Sequence, residues 1–133
     1  MTMLASGEET GGRFVIFELS IKYNLEPPAH THTREDEMIY MLEGNMTFTI
    51  GATEQIASAG SFVFLPRGIK HSWRVHGEQA RVLIMFVPSG LEHFFAALSE
   101  PAGGNVEAQP TATMTKMLAL ADEYGLIFPR QKR

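Results

Sequence analysis

Short segments of alternating apolar and polar residues follow one another through residues 13–88, and this pattern is the strongest constraint on the fold. A period of two residues is typical of β-strands that bury one face. The predicted strands are 15–23, 37–43, 46–50, 54–57, 61–65, 71–75 and 81–87. Many short strands with turn residues between them predict an all-β protein, either an antiparallel sandwich or a barrel.

Two of the breaks between segments are specific enough to predict turns. Gly44-Asn45 follows the second segment, which predicts a hairpin between the second and third strands. Gly77 predicts another turn, between the last two strands.

After residue 88 the apolar residues recur with the spacing of an α-helix instead of the spacing of a β-strand. Four apolar residues of the first predicted helix lie three or four positions apart: Leu91, Phe94, Phe95 and Leu98. Ser89 followed by Glu92 predicts a capping box at the start of this helix. A loop at 101–110 comes before a second amphipathic helix, which Gly125 ends. The apolar residues of that helix are Met114, Met117, Leu118 and Ala121.

These patterns divide the chain into three parts. We expect a flexible N-terminal segment at 1–12, a β-barrel domain at 13–88, and a C-terminal helical extension at 89–133 that packs on the barrel. The length of 133 residues fits one domain with a substantial core.

Composition excludes several classes of function. The net charge is −4 and Lys and Arg form no stripe, so nucleic acid and anionic membrane surfaces are not expected partners. The first residues lack the basic start and apolar run of a signal peptide, and no segment approaches the ~18 apolar residues that span a bilayer. We therefore expect a cytoplasmic protein. Cysteine is absent, so any metal must be held by nitrogen and oxygen atoms.

Histidines and acids are concentrated in the segment PAHTHTREDEMIYMLEG, at 28–44. In an extended strand His30 and His32 lie on one face, because their positions differ by two. If the chain turns before Glu37, that carboxylate faces the same interior, and His71 follows after a proline-glycine turn. Three imidazoles and one carboxylate suit Fe, Mn, Ni, Cu or Zn, whereas Ca and Mg prefer oxygen ligands. The alternative is a solvated turn that happens to contain histidine.

The spacing of these residues resembles the two signature motifs of the cupin superfamily. The first motif is H-x-H, four residues, E, six residues, G, and His30, His32, Glu37 and Gly44 match it. The second is G, five residues, P-x-G, two residues, H, and the matching residues are Gly60, Pro66, Gly68 and His71. Two positions depart from the pattern: Asn24 replaces a glycine, although asparagine also tolerates positive φ, and Val75 replaces an asparagine. Fifteen residues separate Gly44 from Gly60, which is typical of a compact single-domain cupin.

The resemblance implies a conical antiparallel β-barrel (a double-stranded β-helix, or jelly roll) with C-terminal helices, and one divalent transition metal inside. The implied ligands are His30, His32, Glu37 and His71. The segments THTREDEMIYMLEG and FVFLPRGIKHSW resemble those of small cupins of the quercetin 2,3-dioxygenase-like type. This implies a metal-dependent dioxygenase that acts on a small enol- or phenol-like substrate, with Glu37 as the base. The alternatives are a metal-dependent isomerase, lyase or hydrolase on a small metabolite, and a non-catalytic small-molecule-binding cupin.

The residues around the motifs have competing interpretations. Strand parity makes Ile39, Met41, Phe48 and Trp73 candidates for the substrate pocket, and plain barrel core is the alternative. Glu35 and Asp36 are expected in a solvated turn, and His76 at the surface. The strand at 13–23 also carries Phe14 and Ile16 on its second face, so we expect this exposed edge to be covered in a homodimer.

Overall fold

The computed structural model describes residues 1–99, 115–116 and 118–128, with the backbone alone for 96–99. Its elements are β1 (Thr2–Ala5), β2 (Val15–Lys22), β3 (Thr31–His32), β4 (Asp36–Ile50), β5 (Thr53–Ser58), β6 (Phe62–Leu65), β7 (His71–Val87), α1 (Glu92–Ser99) and β8 (Leu126–Ile127). Residues 115–116 and 118–120 are also helical. No helix within these described residues is long and apolar enough to cross a membrane.

Every strand pair in the described residues is antiparallel. One sheet has the order β1-β2-β7-β4-β5, with β6 paired to β4, and a second sheet consists of β3 and β8. Alternate residues of β2, β4, β6 and β7 point into a common core that includes Phe17, Phe48 and Phe86. The predicted all-β antiparallel fold is therefore confirmed.

The predicted hairpin at Gly44-Asn45 is wrong. The chain runs through both residues as a single strand, β4, whose two halves both pair with β7. The register shifts around Glu43, and Gly44 has a φ of +87°, so the break in the pattern is a β-bulge that bends the strand. A Cβ at Gly44 would lie 2.9 Å from the Ala80 Cα, which explains the glycine as a place of close backbone approach.

The predicted turn at Gly77 is also wrong. Strand β7 continues from His71 to Val87, because the segment after Gly77 is held by β2: Lys22 pairs with Gln79, and the Tyr23 N–H donates to the Glu78 carbonyl at 2.9 Å. A local pattern cannot distinguish a bulge of this kind from a chain reversal, because glycine suits both.

The N-terminal segment, expected to be flexible, contains strand β1. Its Met3 pairs with Phe17 and its Thr2 with Glu18, so β1 covers the edge of β2. Pairing with β1 satisfies the backbone groups that the edge of β2 would otherwise expose. A strand of only four residues is too short to be recognised from its sequence pattern. Asn24 has a φ of 70°, as its tolerance of positive φ predicted.

The helix predicted after residue 88 is confirmed as α1, and its Phe94 is buried in the core. The capping box is wrong: the Ser89 N–H donates to the Gly12 carbonyl, while the Glu92 carboxylate accepts the Gly7 and Gly90 N–H groups. Of the second predicted helix, Ala121 is buried and Leu118 is exposed. The loop at 101–110, Met114, Met117 and the side chain of Leu98 lie outside the described residues.

Candidate metal centre

Two histidines reach the barrel interior from one extended segment. His30 forms an isolated β-bridge with His71, and His32 lies in β3 opposite Leu126 of β8. Both side chains are buried and face the same way, as the i, i+2 spacing predicted. The ligand set therefore depends on two long-range backbone pairings.

Glu37 and His71 reach the same interior from the starts of the two long strands. Glu37 is the second residue of β4 and pairs with Leu65 and Phe86, while His71 is the first residue of β7. Both side chains are almost completely buried. The four predicted residues thus converge from three parts of the chain: the histidine segment and the starts of β4 and β7.

The convergence is close. One ligand atom from each of His30, His32 and His71 lies within 4.8 Å of the others. Glu37 Oε1 lies 3.2 Å from His32 Nε2 and 3.3 Å from His71 Nε2. Glu37 completes the set through these short contacts, so the structure brings together all of the residues that the cupin motifs predicted.

The orientation of the His30 ring is fixed by a backbone acceptor. His30 Nδ1 lies 2.8 Å from the Pro28 carbonyl, which can only accept, so Nδ1 carries the proton and Nε2 presents its lone pair. Burial, followed by the charges of His32 and His71, lowers the pKa of His30 to about 4. This imidazole is therefore neutral at pH 7, the form in which it binds a metal.

Glu37 is ionised in spite of its burial. Burial alone would raise its pKa, but the adjacent His32 and His71 rings outweigh that effect and lower the pKa of Glu37 to about 2. Among the described residues, Glu37 Oε1 and His71 Nε2 have no hydrogen-bond partner. Unpartnered buried polar atoms are costly, and a cation between them would satisfy both. Three nitrogens and one carboxylate oxygen fit a divalent transition metal.

Aromatic rings surround the four residues. Trp73 stacks on His71 with ring centroids 6.0 Å apart, Phe86 lies against His32, and Phe128 lies 5.5 Å from the His30 ring. The indole Nε1 of Trp73 is buried without a partner among the described residues. An apolar wall with few polar groups is typical of small-molecule sites.

The candidate pocket residues differ in their relation to this cluster. Phe48 contacts Trp73, so these two rings form a continuous path to His71. Ile39 and Met41 are fully buried in the hydrophobic core on the same face of β4 as Glu37. The contribution of all four residues to a substrate pocket stays a prediction.

Sequence reasoning missed two features of the site. Glu35 was expected in a solvated turn, but it is buried, with Oε1 3.9 Å from His32 Nδ1. The second feature is β8 with Phe128, which covers the histidine segment from the far end of the chain. No local signal points to either, because both depend on contacts of the segment 123–128 with 31–34. Asp36, in contrast, faces outward and binds Arg67, and His76 is exposed.

Antiparallel strands around three histidines and a glutamate define a class of β-barrel protein with a candidate metal site in its interior. The particular family follows from a direct match. The family model Cupin_2, described as a Cupin domain, matches residues 18–87, which are more than half of the chain. The chain belongs to the cupin family.

Two curated relatives resemble parts of the chain. Quercetin 2,3-dioxygenase of Bacillus subtilis (strain 168) is 26% identical over 100 residues, which are 75% of this chain and 30% of that protein. The uncharacterized protein SCO3923 of Streptomyces coelicolor is 32% identical over 54 residues, 41% of this chain and 51% of that protein. The chain thus spans at most about half the length of these relatives.

Solved structures share the fold. KdgF from Halomonas sp. superposes with a TM-score of 0.61 at 15% identity, covering 69% of this chain and 80% of its own. The Cnp3 cupin domain of Schizosaccharomyces pombe gives a TM-score of 0.58 at 20% identity, covering 70% and 63%. At these identities the likeness concerns the fold alone.

Proposed function

We propose that this protein is a metal-dependent dioxygenase that acts on a small enol- or phenol-like substrate. The observation that carries the proposal is the buried, ionised Glu37 carboxylate, in short contact with two of three clustered imidazoles. The partial similarity to quercetin 2,3-dioxygenase supports the same class of reaction. In a dioxygenase both atoms of O₂ enter the product, so no separate reductant is needed.

His30, His32, His71 and Glu37 would hold one divalent transition metal, whose identity among Fe, Mn, Ni, Cu and Zn is open. When bound, such a metal supplies a Lewis acid that increases the acidity of a coordinated hydroxyl group. The protein contributes the neutral imidazole of His30, a fixed carboxylate at Glu37 and an interior from which water is largely excluded. Trp73 contacts the rings of both Phe48 and His71. These adjacent flat rings suit an aromatic substrate.

Glu37 is the proposed proton acceptor. It is ionised at neutral pH, as an acceptor must be. With Oε1 on the metal, the second carboxylate oxygen is the atom that would take the proton. A carboxylate with a pKa of about 2 is a weak base, so an acidic enol or phenol suits it better than an ordinary alcohol. The Trp73 Nε1–H, which has no partner among the described residues, would orient a substrate oxygen by donating to it.

The test measures O₂ uptake by metal-loaded, untagged protein with a panel of flavonols and enediols. We expect uptake with at least one of them. Glu37→Gln should lower the rate per bound metal by about 10² to 10⁴, the usual contribution of a general base. Normalising to bound metal separates proton transfer from ligation. No uptake with any substrate would contradict the oxygenase, and leave the isomerase, lyase, hydrolase or binding functions for the same site.

A further inference from the structure

Glu35 is a buried acid to which the proposed function assigns no role. The residue is 4% exposed, and Oε1 has no hydrogen-bond partner among the described residues. Keeping a carboxyl group in such a place costs stability, so the position calls for a compensating contact.

The atom facing Glu35 Oε1 is the second ring nitrogen of His32. His32 Nδ1 lies 3.9 Å away and is itself buried without a partner among the described residues. The other nitrogen, Nε2, faces Glu37 at 3.2 Å. One ring therefore has a carboxylate at each nitrogen, with the metal ligand Glu37 on one side and Glu35 on the other.

The backbone around Glu35 is fixed by tertiary contacts. The Thr33 N–H and hydroxyl both donate to the Gly125 carbonyl, at 2.9 and 2.7 Å, and the Arg34 guanidinium donates to the Glu123 carbonyl at 2.9 Å. On the other side, Asp36 accepts the Arg67 N–H. Because both neighbours are anchored, the inward direction of the Glu35 side chain is a property of the fold.

We propose that Glu35 is a positioning residue that accepts the Nδ1–H of His32 and so directs the Nε2 lone pair to the metal. His30 has the equivalent contact through the Pro28 carbonyl, at 2.8 Å. The His32 contact, at 3.9 Å, is about 1 Å longer than a hydrogen bond, and the proposal requires that it closes when a metal is bound. Such contacts fix the tautomer and increase the basicity of the ligand. The inference rests on the metal centre of the proposed function and is independent of the reaction.

The test compares Glu35→Ala and Glu35→Gln with Asp36→Asn, which alters the adjacent acid that faces outward. Affinity for Zn²⁺ and Co²⁺ is measured on the full chain by competition with a chelator. We expect Glu35→Ala to bind metal about 10- to 100-fold more weakly, and Glu35→Gln to recover part of the loss, since its amide oxygen still accepts. Asp36→Asn should stay within about twofold of wild type, because the amide oxygen can still accept the Arg67 N–H that anchors this residue.

Two further measurements separate positioning from general support of the fold. The metal-free Glu35→Gln variant should melt close to the wild-type temperature, because its amide oxygen can still accept from His32 Nδ1. In the zinc-loaded wild type, NMR should show a slowly exchanging His32 Nδ1 proton that is lost in Glu35→Ala.

Equal metal affinity of wild type and Glu35→Ala overturns the role of Glu35 while leaving the metal centre intact. A melting temperature that falls in parallel with affinity overturns it as well, in favour of a structural role. If the Co²⁺ spectrum of Glu35→Ala indicates one oxygen ligand fewer than that of wild type, Glu35 is itself a metal ligand, and its role as a positioning residue is overturned. Absence of metal binding by the wild type overturns the centre itself, and the role of Glu35 with it.

Discussion

His30 and His71 exchange two backbone hydrogen bonds, with the N–H of each donating to the carbonyl of the other at 3.0 and 2.9 Å. This bridge sets the distance between two ligands that come from different motifs. The candidate metal site is therefore assembled by main-chain pairing between distant parts of the chain.

Metal content should depend on the clustered histidines and not on histidine in general. We expect His71→Ala to reduce bound metal from about one per chain to well below that, because one ligand is lost from a four-residue site. His76→Ala is the matched control, since His76 is exposed and bonded to Thr47. Elemental analysis of the untagged proteins measures the bound metal. Equal metal content in the two variants would contradict the assignment of His71 to the metal site.

The stability of the metal-free protein should fall in acid. The His30 pKa is about 4 in the folded protein and 6.5 ordinarily, so the unfolded chain binds more protons between these values. This contribution to the unfolding free energy is complete above pH 6.5 and is lost as pH falls towards 4; it is on the order of 3 kcal/mol. The lowered pKa of Glu37 acts in the same direction, but only below 4.5.

Urea unfolding at a series of pH values measures this effect. His30→Gln should flatten the dependence between pH 6.5 and 4 and leave the part below 4.5 that belongs to Glu37. Parallel curves for wild type and His30→Gln over the whole range would show that His30 does not titrate as described.

Strand β8 should support the histidine segment. Leu126 is buried and pairs with His32, whereas Ile127, the next residue, is exposed. We expect Leu126→Ala to lower unfolding free energy by about 2 to 5 kcal/mol and to weaken metal binding, while Ile127→Ala leaves both nearly unchanged. Denaturant unfolding and chelator competition test this. Similar effects of the two substitutions would argue against a specific role of the pairing.

The bulge in β4 should tolerate no side chain. Gly44→Ala combines a positive φ with a contact of 2.9 Å to Ala80, whereas a Cβ at Gly77, also at positive φ, meets nothing within 4 Å. We expect Gly77→Ala to cost about 1 to 2 kcal/mol and Gly44→Ala distinctly more. Thermal unfolding gives both values, and equal costs would mean that the close approach is relieved by backbone movement.

We propose that the outer face of the large sheet pairs with a second copy of the chain. A row of apolar residues crosses four paired strands on that face: Ile16, Met85, Met38 and Phe64. Phe62 and Tyr40, in the next row, are 58% and 44% exposed. Exposed apolar patches of this kind favour association. The sequence pattern predicts that a homodimer covers the edge of β2, but β1 already pairs with that edge. The proposed dimer surface is therefore the outer face of the sheet.

Gel filtration at micromolar concentration should give a dimer, and Phe64→Lys should shift it to a monomer. Ile56→Lys, at an exposed position of β5 outside this row, should leave the dimer intact. A wild type that elutes as a monomer would exclude the dimer at these concentrations.

The sequence determined the strands of the barrel and the identity of the candidate ligands. Alternation of apolar residues located β2, β5 and β6 within a few positions, because each strand has one buried face. The two motifs selected His30, His32, Glu37 and His71, all of which the structure brings together. These features are local, or have a spacing that resembles that of a known family.

Only the tertiary structure decided where strands bend and what surrounds the ligands. Gly44 and Gly77 were predicted as turns, yet β4 and β7 continue through them because each strand finds partners on both sides of the bulge. Glu35 faces inward because its neighbours bind a segment ninety residues away. Such outcomes depend on pairing between distant residues, and the free energy of that pairing is not encoded in any short window of the sequence.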